Sequence, residues 1–407
     1  MGWKDFIMVD NGTARSAISS AVSRPFPSSV DVRPADDIGL AEYEAFCATA
    51  IVGPAQHPLW IRAWIEASGA DALIVMMRRS GVPVFALALE VVGEGPFQVA
   101  RFPAGDHANG NFAALAAHAH QLSEADARTL CAAIHAARPD IDLISLQRQN
   151  PTFGEVANPL AKLASMRSPN VSLAVDLSGG FDAVLSRHNG RKKRKKFRGQ
   201  LRKFEEVGGY RVITASTPEE VDGILDAYFE MKAARFAEKG IPNVFAPIEV
   251  QTFFRRLYSS CLHLPADMRP FELRAVEVEG GFVAVHGMSH TPHSILCDFG
   301  GMRETAAAQC PGYFFDYLCI EDACNQGKTI YDFSVGDEPY KRSWCDVETW
   351  QFDTLLPLTA KGRAAWALAT ARAHAVRLVK SNAALWSLVK QLRTKVAGTK
   401  VQPHQED

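Results

Sequence analysis

The chain has no CxxC pair. Its eight cysteines, at positions 47, 131, 261, 297, 310, 319, 324 and 345, follow no regular framework, which argues against zinc ribbons and disulfide scaffolds and for a reducing compartment. It also lacks any apolar run of about 18 residues, so no membrane span is expected. The start, MGWKDFIMVDNGTARS, has no apolar core of the kind a signal peptide needs. The expectation is a cytoplasmic protein. Charge of either sign is not in excess: 44 Lys and Arg against 45 Asp and Glu leave a formal net charge of -1, which excludes a surface built throughout for nucleic acid. Any polyanion contact must come from a local patch. What is present is ordinary globular composition, 47% hydrophobic and 22% charged, over 407 residues, enough for two cores.

Residues 1–30, rich in Ser, Gly and Pro, show no periodic apolar positions and read as a disordered leader. A first unit, 31–170, opens with helical patterns through Leu40, Tyr43 and Phe46 and through Trp60, Ile61, Trp64 and Ile65. Apolar runs Ala72–Met77 and Val82–Val92 follow, joined by a Gly-containing turn, and then a strand Pro96–Phe102. Ser123 with Asp126 three residues on starts a helix to about Ala137, and Ile141–Leu146 reads as a strand. The second unit, 171–356, repeats this order. It has a helix over 218–239, an apolar stretch Phe253–Cys261, strands Phe271–Val278, Phe282–Ser289 and Ser294–Phe299, a helix from Gly312 to Asn325, and a strand Thr329–Phe333. The shared order suggests duplication of one α/β unit. In 357–407 no acidic residue occurs between Asp353 and Glu406, while Lys361, Arg363, Arg372, Arg377, Lys380, Lys390, Arg393, Lys395 and Lys400 accumulate. This tail reads as one or two amphipathic helices broken near Ser381-Asn382. Two roles stay open for it: a cap over the second unit, or peripheral attachment to an anionic membrane surface or a membrane-bound partner.

The densest chemistry lies in Cys310-Pro311-Gly312-Tyr313, the helix and strand after it, and the loop Ser334-Val335-Gly336-Asp337-Glu338-Pro339-Tyr340-Lys341-Arg342-Ser343-Trp344. Proline preorganises a helix start, glycine permits close approach to the backbone, and free amides there attract phosphate. The loop packs acid, phenol, ammonium and guanidinium groups after a buried strand, where α/β folds place their sites.

The run CPGYFFDYLCIEDACNQGKTIYDFSVGDEPYKRSW resembles the signature of acetyltransferases associated with bacterial cellulose and exopolysaccharide synthesis (CelD/BcsL type), within the GNAT acetyltransferase superfamily. More loosely, HPLWIRAWIEASGADALIVMMRRSGVPVFALAL is similar to that family's N-terminal unit, so the likeness spans residues 40–356. It implies an α/β (α+β) fold of tandem GNAT-like units, each a mixed twisted sheet flanked by helices, followed here by a helical tail. It also implies acyl transfer from acetyl-CoA or another acyl-CoA, without a metal, to an amine-bearing small molecule or sugar precursor of the cell envelope. One departure is that the superfamily's usual phosphate loop, Arg/Gln-x-x-Gly-x-Gly/Ala, is absent, and the helix start Pro311, Gly312 and Tyr313 is expected to serve in its place.

Acyl transfer to an amine needs a proton acceptor for the nucleophile and a donor for the thiolate. Asp298 and Asp332, at the ends of expected central strands, are the candidate bases or amine anchors, Tyr340 the candidate acid, and Lys341 a candidate partner of donor phosphates or of Asp337 or Glu338. The basic run Arg191–Lys196 continues to Arg198, Arg202 and Lys203, and Phe197, Leu201 and Phe204 recur through it at helical spacing, giving a helix with one buried edge and a cationic face. Arg194 and Lys195 are its candidate CoA ligands. An anionic acceptor or tRNA are alternatives for that face, the latter because related peptidoglycan-building transferases with duplicated folds use aminoacyl-tRNA. The alternative outside enzymes is a non-catalytic accessory protein whose basic tail docks on a membrane-bound polysaccharide synthase at the inner membrane. His286, His290 and His293 lack a completing ligand, so no metal is expected.

Overall fold

The computed structural model describes residues 28–119, 122–163, 165–303 and 310–381. The first half comprises β1 (Ser28–Pro34), α1 (Asp37–Cys47), β2 (Ala50–Ile51), α2 (Pro58–Ser68), β3 (Ala72–Arg79), β4 (Val82–Glu94), β5 (Phe97–Arg101), β6 (Ala114–Ala116), α3 (Glu124–Ala137) and β7 (Leu143–Gln149). A small hairpin, β8 (Thr152–Phe153) and β9 (Val156–Ala157), leads to β10 (Met166–Asp176). The second half continues with α4 (Gly180–Arg187), α5 (Gly190–Glu206), β11 (Arg211–Thr214), α6 (Pro218–Lys239), α7 (Ile248–Cys261), β12 (Phe271–Val278), β13 (Gly281–His290), β14 (Ser294–Met302), α8 (Pro311–Asn325), β15 (Ile330–Val335), α9 (Pro339–Arg342), β16 (Val347–Pro357) and α10 (Ala360–Ser381).

One mixed sheet runs through both halves in the order β1-β3-β4-β5-β7-β16-β10-β15-β14-β13-β12-β11. Each half contributes an antiparallel meander ending in a parallel pair bridged by a helix: β5 with β7 through α3, and β14 with β15 through α8. The last strand, β16, pairs with β7 on one side and β10 on the other, so the halves are joined by backbone hydrogen bonds. The expected order of elements is therefore present twice. The boundary expected at 170/171 falls inside β10.

Local chemistry explains most of these elements. Ser123 and Asp126 form a reciprocal capping box at the start of α3. Thr217 caps α6, Pro218 occupies its first turn, and Gly240 ends it in the left-handed conformation. Two central strands escaped the sequence reading, as did the shorter β1, β2, β6, β8, β9 and β11. β10 (MRSPNVSLAVD) is interrupted by Ser168, Pro169 and Asn170, and β16 (VETWQFDTLLP) carries acids among its apolar residues, yet both sit in the middle of the sheet. The leader expected over 1–30 gives way to structure at Ser28, where β1 pairs antiparallel with β3, and residues 1–27 lie outside those described. Helix α10 packs Gly362, Ala365 and Ala369 inward; the break near Ser381-Asn382 and the rest of the tail lie outside the described residues. None of the described helices is long and apolar enough to cross a membrane.

The sheet of the second half separates two layers. On β12 and β13, Leu273, Ala275 and Val285 face a core shared with α6 and α7, whereas Val276 and Ala284 face one shared with α5 and α8. Parallel pairing between β14 and β15 covers only Ser294–Leu296 against Ile330–Asp332. Beyond it β14 stays with β13, β15 stays with β10, and the two strands part. The corresponding gap in the first half is filled by its own chain: Asn111 bridges to Gln149 and Phe112 is fully buried.

Candidate active site

The parting of β14 and β15 opens a cavity of about 610 Å³ that reaches both layers of the second half. Its wall takes Cys297 to Met302 from β14, Phe333 to Val335 from β15, Gly312, Tyr313 and Asp316 from α8, Lys196 from α5, and Lys232, Arg235 and Lys239 from α6. Tyr340 and Lys341 of α9, with Glu338 before it, complete the rim. A larger cleft of about 1480 Å³ lies at the other end of β15, near His57, Glu272 and His290, and holds none of the residues expected from sequence.

Asp298 lies where β13 and β14 change register, Gly287 facing Phe299 and Met288 facing Cys297, so it is the extra residue of a bulge. Its carboxylate accepts a hydrogen bond from Ser289 Oγ. Burial, with the Asp332 charge adding to it and the Ser289 bond opposing it, pushes its pKa up to about 7. Asp332 does not line the cavity. It accepts from Ser172 Oγ at 3.1 Å and from the amide of Ser334 at 2.6 Å, and so fixes the end of β15, where Ser334 takes a positive φ of 63°. Tyr340 lines the cavity with a half-exposed ring. Desolvation first, then the Asp316 carboxylate, raises its pKa, which keeps the phenol protonated at neutral pH.

Lys341 is buried, donates to the carbonyls of Val335 at 2.9 Å and Ser334 at 3.4 Å, and pairs with Glu338 at 3.3 Å, whereas Asp337 pairs with Arg342. Gly336 makes this packing possible: its φ is +134°, and a Cβ there would meet the Glu338 carboxylate and come within 2.9 Å of Lys341 Nζ. Helix α8 begins at Pro311, which is buried, with the amides of Gly312 and Tyr313 in its first turn at the mouth of the gap.

The basic helix α5 behaves as its pattern predicts along one edge. Phe197 stacks on Tyr317 at 4.1 Å and on Phe314 at 4.9 Å, and Phe204 meets Phe314 at 4.7 Å. The cations it turns toward the site are Lys193 and Lys196, not Arg194 and Lys195. Lys193 is buried with its ammonium 3.5 Å over the Trp344 ring, and Lys196 sits 3.5 Å over Tyr313. Arg194 instead pairs with Asp182 at the surface and Lys195 is exposed, and neither touches the cavity. Burial lowers the pKa of Lys193 to about 8.

Asp316 and His286 are two buried wall residues that were not anticipated as functional. Asp316, on α8, is only 4% exposed, and burial pushes its pKa up to about 7 against the pull of Lys341, Lys193 and Lys196. His286 Nε2 lies 3.6 Å from Asp316 Oδ1, its Nδ1 is 3.7 Å from Cys319 Sγ, and burial lowers its pKa to about 3, so the imidazole stays neutral. A lone acid within the aromatic run Tyr313-Phe314-Phe315-Asp316-Tyr317 was the available signal. His290 does not join His286; it sits in the other cleft beside Glu272. Among the described residues no cluster of three or more potential metal ligands occurs.

Residues 191–342 match the model of the acetyltransferase (GNAT) domain family. The match runs from the basic helix to α9 and contains the lining of the parted-strand cavity except Asn109. Among solved structures, one described as FemX aligns at a TM-score of 0.53 and 13% identity, over 78% of this chain and 96% of that one. The C-terminal domain of a putative lysylphosphatidylglycerol synthetase from Agrobacterium fabrum aligns at 0.47 and 11%, over 82% and 96%. A tandem GNAT protein from the clavulanic acid biosynthesis pathway gives 0.45 and 13%, over 81% and 99%. The likeness to FemX is one of fold. No curated protein matches the chain.

Proposed function

We propose that the protein is an acyl-CoA-dependent N-acyltransferase, working in the cavity between β14 and β15 on an amine-bearing small molecule or sugar precursor. The observation that carries this reading is the parted parallel pair whose cavity is lined both by a carboxylate of pKa about 7, Asp298, and by a phenol kept protonated, Tyr340, inside the GNAT match. The freed edges of β14 and β15 present backbone groups to an extended amide-bearing arm, as one strand would to another. The first-turn amides of α8 with Lys196, backed by Lys193, suit the donor's phosphates. The acceptor's neutral amine attacks the thioester carbonyl. The new C–N bond forms as the C–S bond breaks, the amine proton passes to Asp298, and Tyr340 delivers a proton to the thiolate. Burial, with the Asp316 carboxylate adding to it, keeps Tyr340 protonated until the thiolate forms. A role in exopolysaccharide synthesis, implied by the sequence resemblance, is part of this proposal.

Calorimetric titration with acetyl-CoA, together with release of free thiol in the presence of amines, tests the reading. Micromolar binding and Asp298-dependent thiol release are expected; absence of binding to any acyl-CoA overturns it. A second reading rests on the exposed cations of α5, Arg191, Lys192, Lys195 and Arg198, which line the outer face of the helix. A donor carried on tRNA would use that face and would bind with steep salt dependence.

A further inference from the structure

The cavity has two cationic poles, one in each layer of the sheet. The first is the start of α8 with Lys196 of α5. The second is formed by Lys232, Arg235 and Lys239 of α6, which follow one another at helical spacing, with Phe236 between them, on the layer that faces α7. The acids of the wall, Asp298, Asp316 and Glu338, come from other elements, and Glu338 is already paired with Lys341. The acids that flank this stretch of α6 do not line the cavity: Glu230 pairs with Arg303 at 3.1 Å, and Glu238 is outside the wall.

Lys232 stands out within the second pole. It is held among aromatic rings, 5.4 Å from Tyr228 and 5.9 Å from both Phe236 and Phe245, and makes no hydrogen bond or ion pair among the described residues. Burial lowers its pKa to about 8, with Arg235 adding to the effect and the Glu338 charge only partly opposing it, so the ammonium form is left short of solvation and counter-charge. A wall that desolvates a cation without supplying its partner is suited to receive that partner from the ligand.

An acyl-CoA carries its phosphates at one end and its thioester at the other, and one set of phosphates cannot fill both poles while the thioester lies between them. Resting on the acyltransferase reading above, with the donor phosphates at the α8 pole, we propose that the acceptor is an anionic amine whose carboxylate or phosphate is held by Lys232 with Arg235 and Lys239 while its amine faces Asp298. Simple diamines and polyamines are then poor acceptors, because the pole repels a second cation.

The test uses matched pairs of amines with acetyl-CoA: glucosamine against glucosamine 6-phosphate, ethanolamine against phosphoethanolamine, and putrescine against ornithine. The member of each pair that carries the carboxylate or phosphate is expected to have the higher kcat/KM, by about 10-fold or more, and Lys232→Gln is expected to collapse that ratio toward one. The phosphate and carboxylate pairs separate the two kinds of anion. A preference for the member that lacks the carboxylate or phosphate overturns the proposal. A second measurement does not depend on finding the acceptor: inorganic phosphate and acetate are titrated into full-length protein saturated with CoA. Binding that persists with CoA bound and weakens about 10-fold in Lys232→Gln, and less in the exposed Lys239→Gln, supports the second pole. Binding abolished by CoA, or a loss of CoA affinity in Lys232→Gln, places the donor phosphates on α6 and overturns it, as does failure of phosphate and acetate to bind. If CoA itself does not bind, the acyltransferase reading falls, and the same titration on the free protein still decides whether α6 holds an anion.

Discussion

His286 Nε2 lies 3.6 Å from Asp316 Oδ1 in the floor of the cleft, with both side chains almost wholly buried. The contact is not a salt bridge at neutral pH, because burial holds the imidazole neutral and lifts the carboxyl to a pKa of about 7. In the unfolded chain an aspartate titrates at about 3.9. Between these values the folded protein holds a proton that the unfolded chain has lost. Asp316 therefore favours folding fully at low pH, and its contribution is lost as pH rises through about 7. Asp316→Asn removes this dependence. Its Tm relative to wild type is expected to rise between about pH 5 and about pH 8. A difference that stays flat across the range would mean that Asp316 titrates normally.

Asp298 gives a separate prediction on rate. A base with a pKa of about 7 must be deprotonated to work, so log kcat should climb with pH and level off above 7. Asp298→Asn should lower kcat by about 10²- to 10⁴-fold and abolish that acid limb. If the limb survives in Asp298→Asn and disappears in Asp316→Asn, the base lies on α8 instead.

The two faces of α5 can be compared directly. Replacing Lys193 and Lys196 by Met should raise the acetyl-CoA Kd by about 10-fold or more, since charge-assisted contacts are worth about 1.5–3 kcal/mol each. Replacing Arg194 and Lys195 by Ala should change it little, because Arg194 is engaged with Asp182 and Lys195 points to solvent. Equal losses in both pairs would indicate general attraction by the helix rather than a bound phosphate.

How far the sequence revealed this site depends on which residues are considered. The α8 start, Lys341, Tyr340 and the strands around them carry local signals: a Pro-Gly pair, a dense polar loop and apolar runs of strand length. The edge of α5 was also legible through Phe197, Leu201 and Phe204. The step missed there was that Lys193 continues the same buried edge, four residues before Phe197. Asp332 illustrates the opposite limit. A carboxylate at a strand end suggests chemistry, but only tertiary structure shows that Ser172, 160 residues away, occupies its oxygen. The bulge that places Asp298 is a register shift between two strands, and no single strand's sequence records it. β10 and β16 were missed because interior position in a sheet is set by neighbours, which offset the polar residues that hide the pattern.

Gly336 tests the packing of the signature loop independently of activity. Ala there would have to hold a backbone φ of +134° and displace Glu338 or Lys341. Gly336→Ala is expected to cost about 1–3 kcal/mol in stability, read from urea unfolding. If the variant is as stable as wild type, the loop does not hold Lys341 in this way.

Tyr340 can be tested through its leaving group. As the acid that protonates the departing thiolate, it should matter in proportion to how poor that leaving group is. Tyr340→Phe keeps the ring and its edge contact with Phe333 at 6.0 Å, so folding should be unaffected. With acetyl-CoA its kcat should fall by about 10²-fold or more, at the scale of general-acid catalysis. With an acetyl thioester of an acidic aryl thiol, whose thiolate departs without protonation, the loss should shrink to a few-fold. An equal loss with both donors would show that the hydroxyl positions the substrate rather than delivering the proton, since positioning does not depend on the basicity of the departing sulfur.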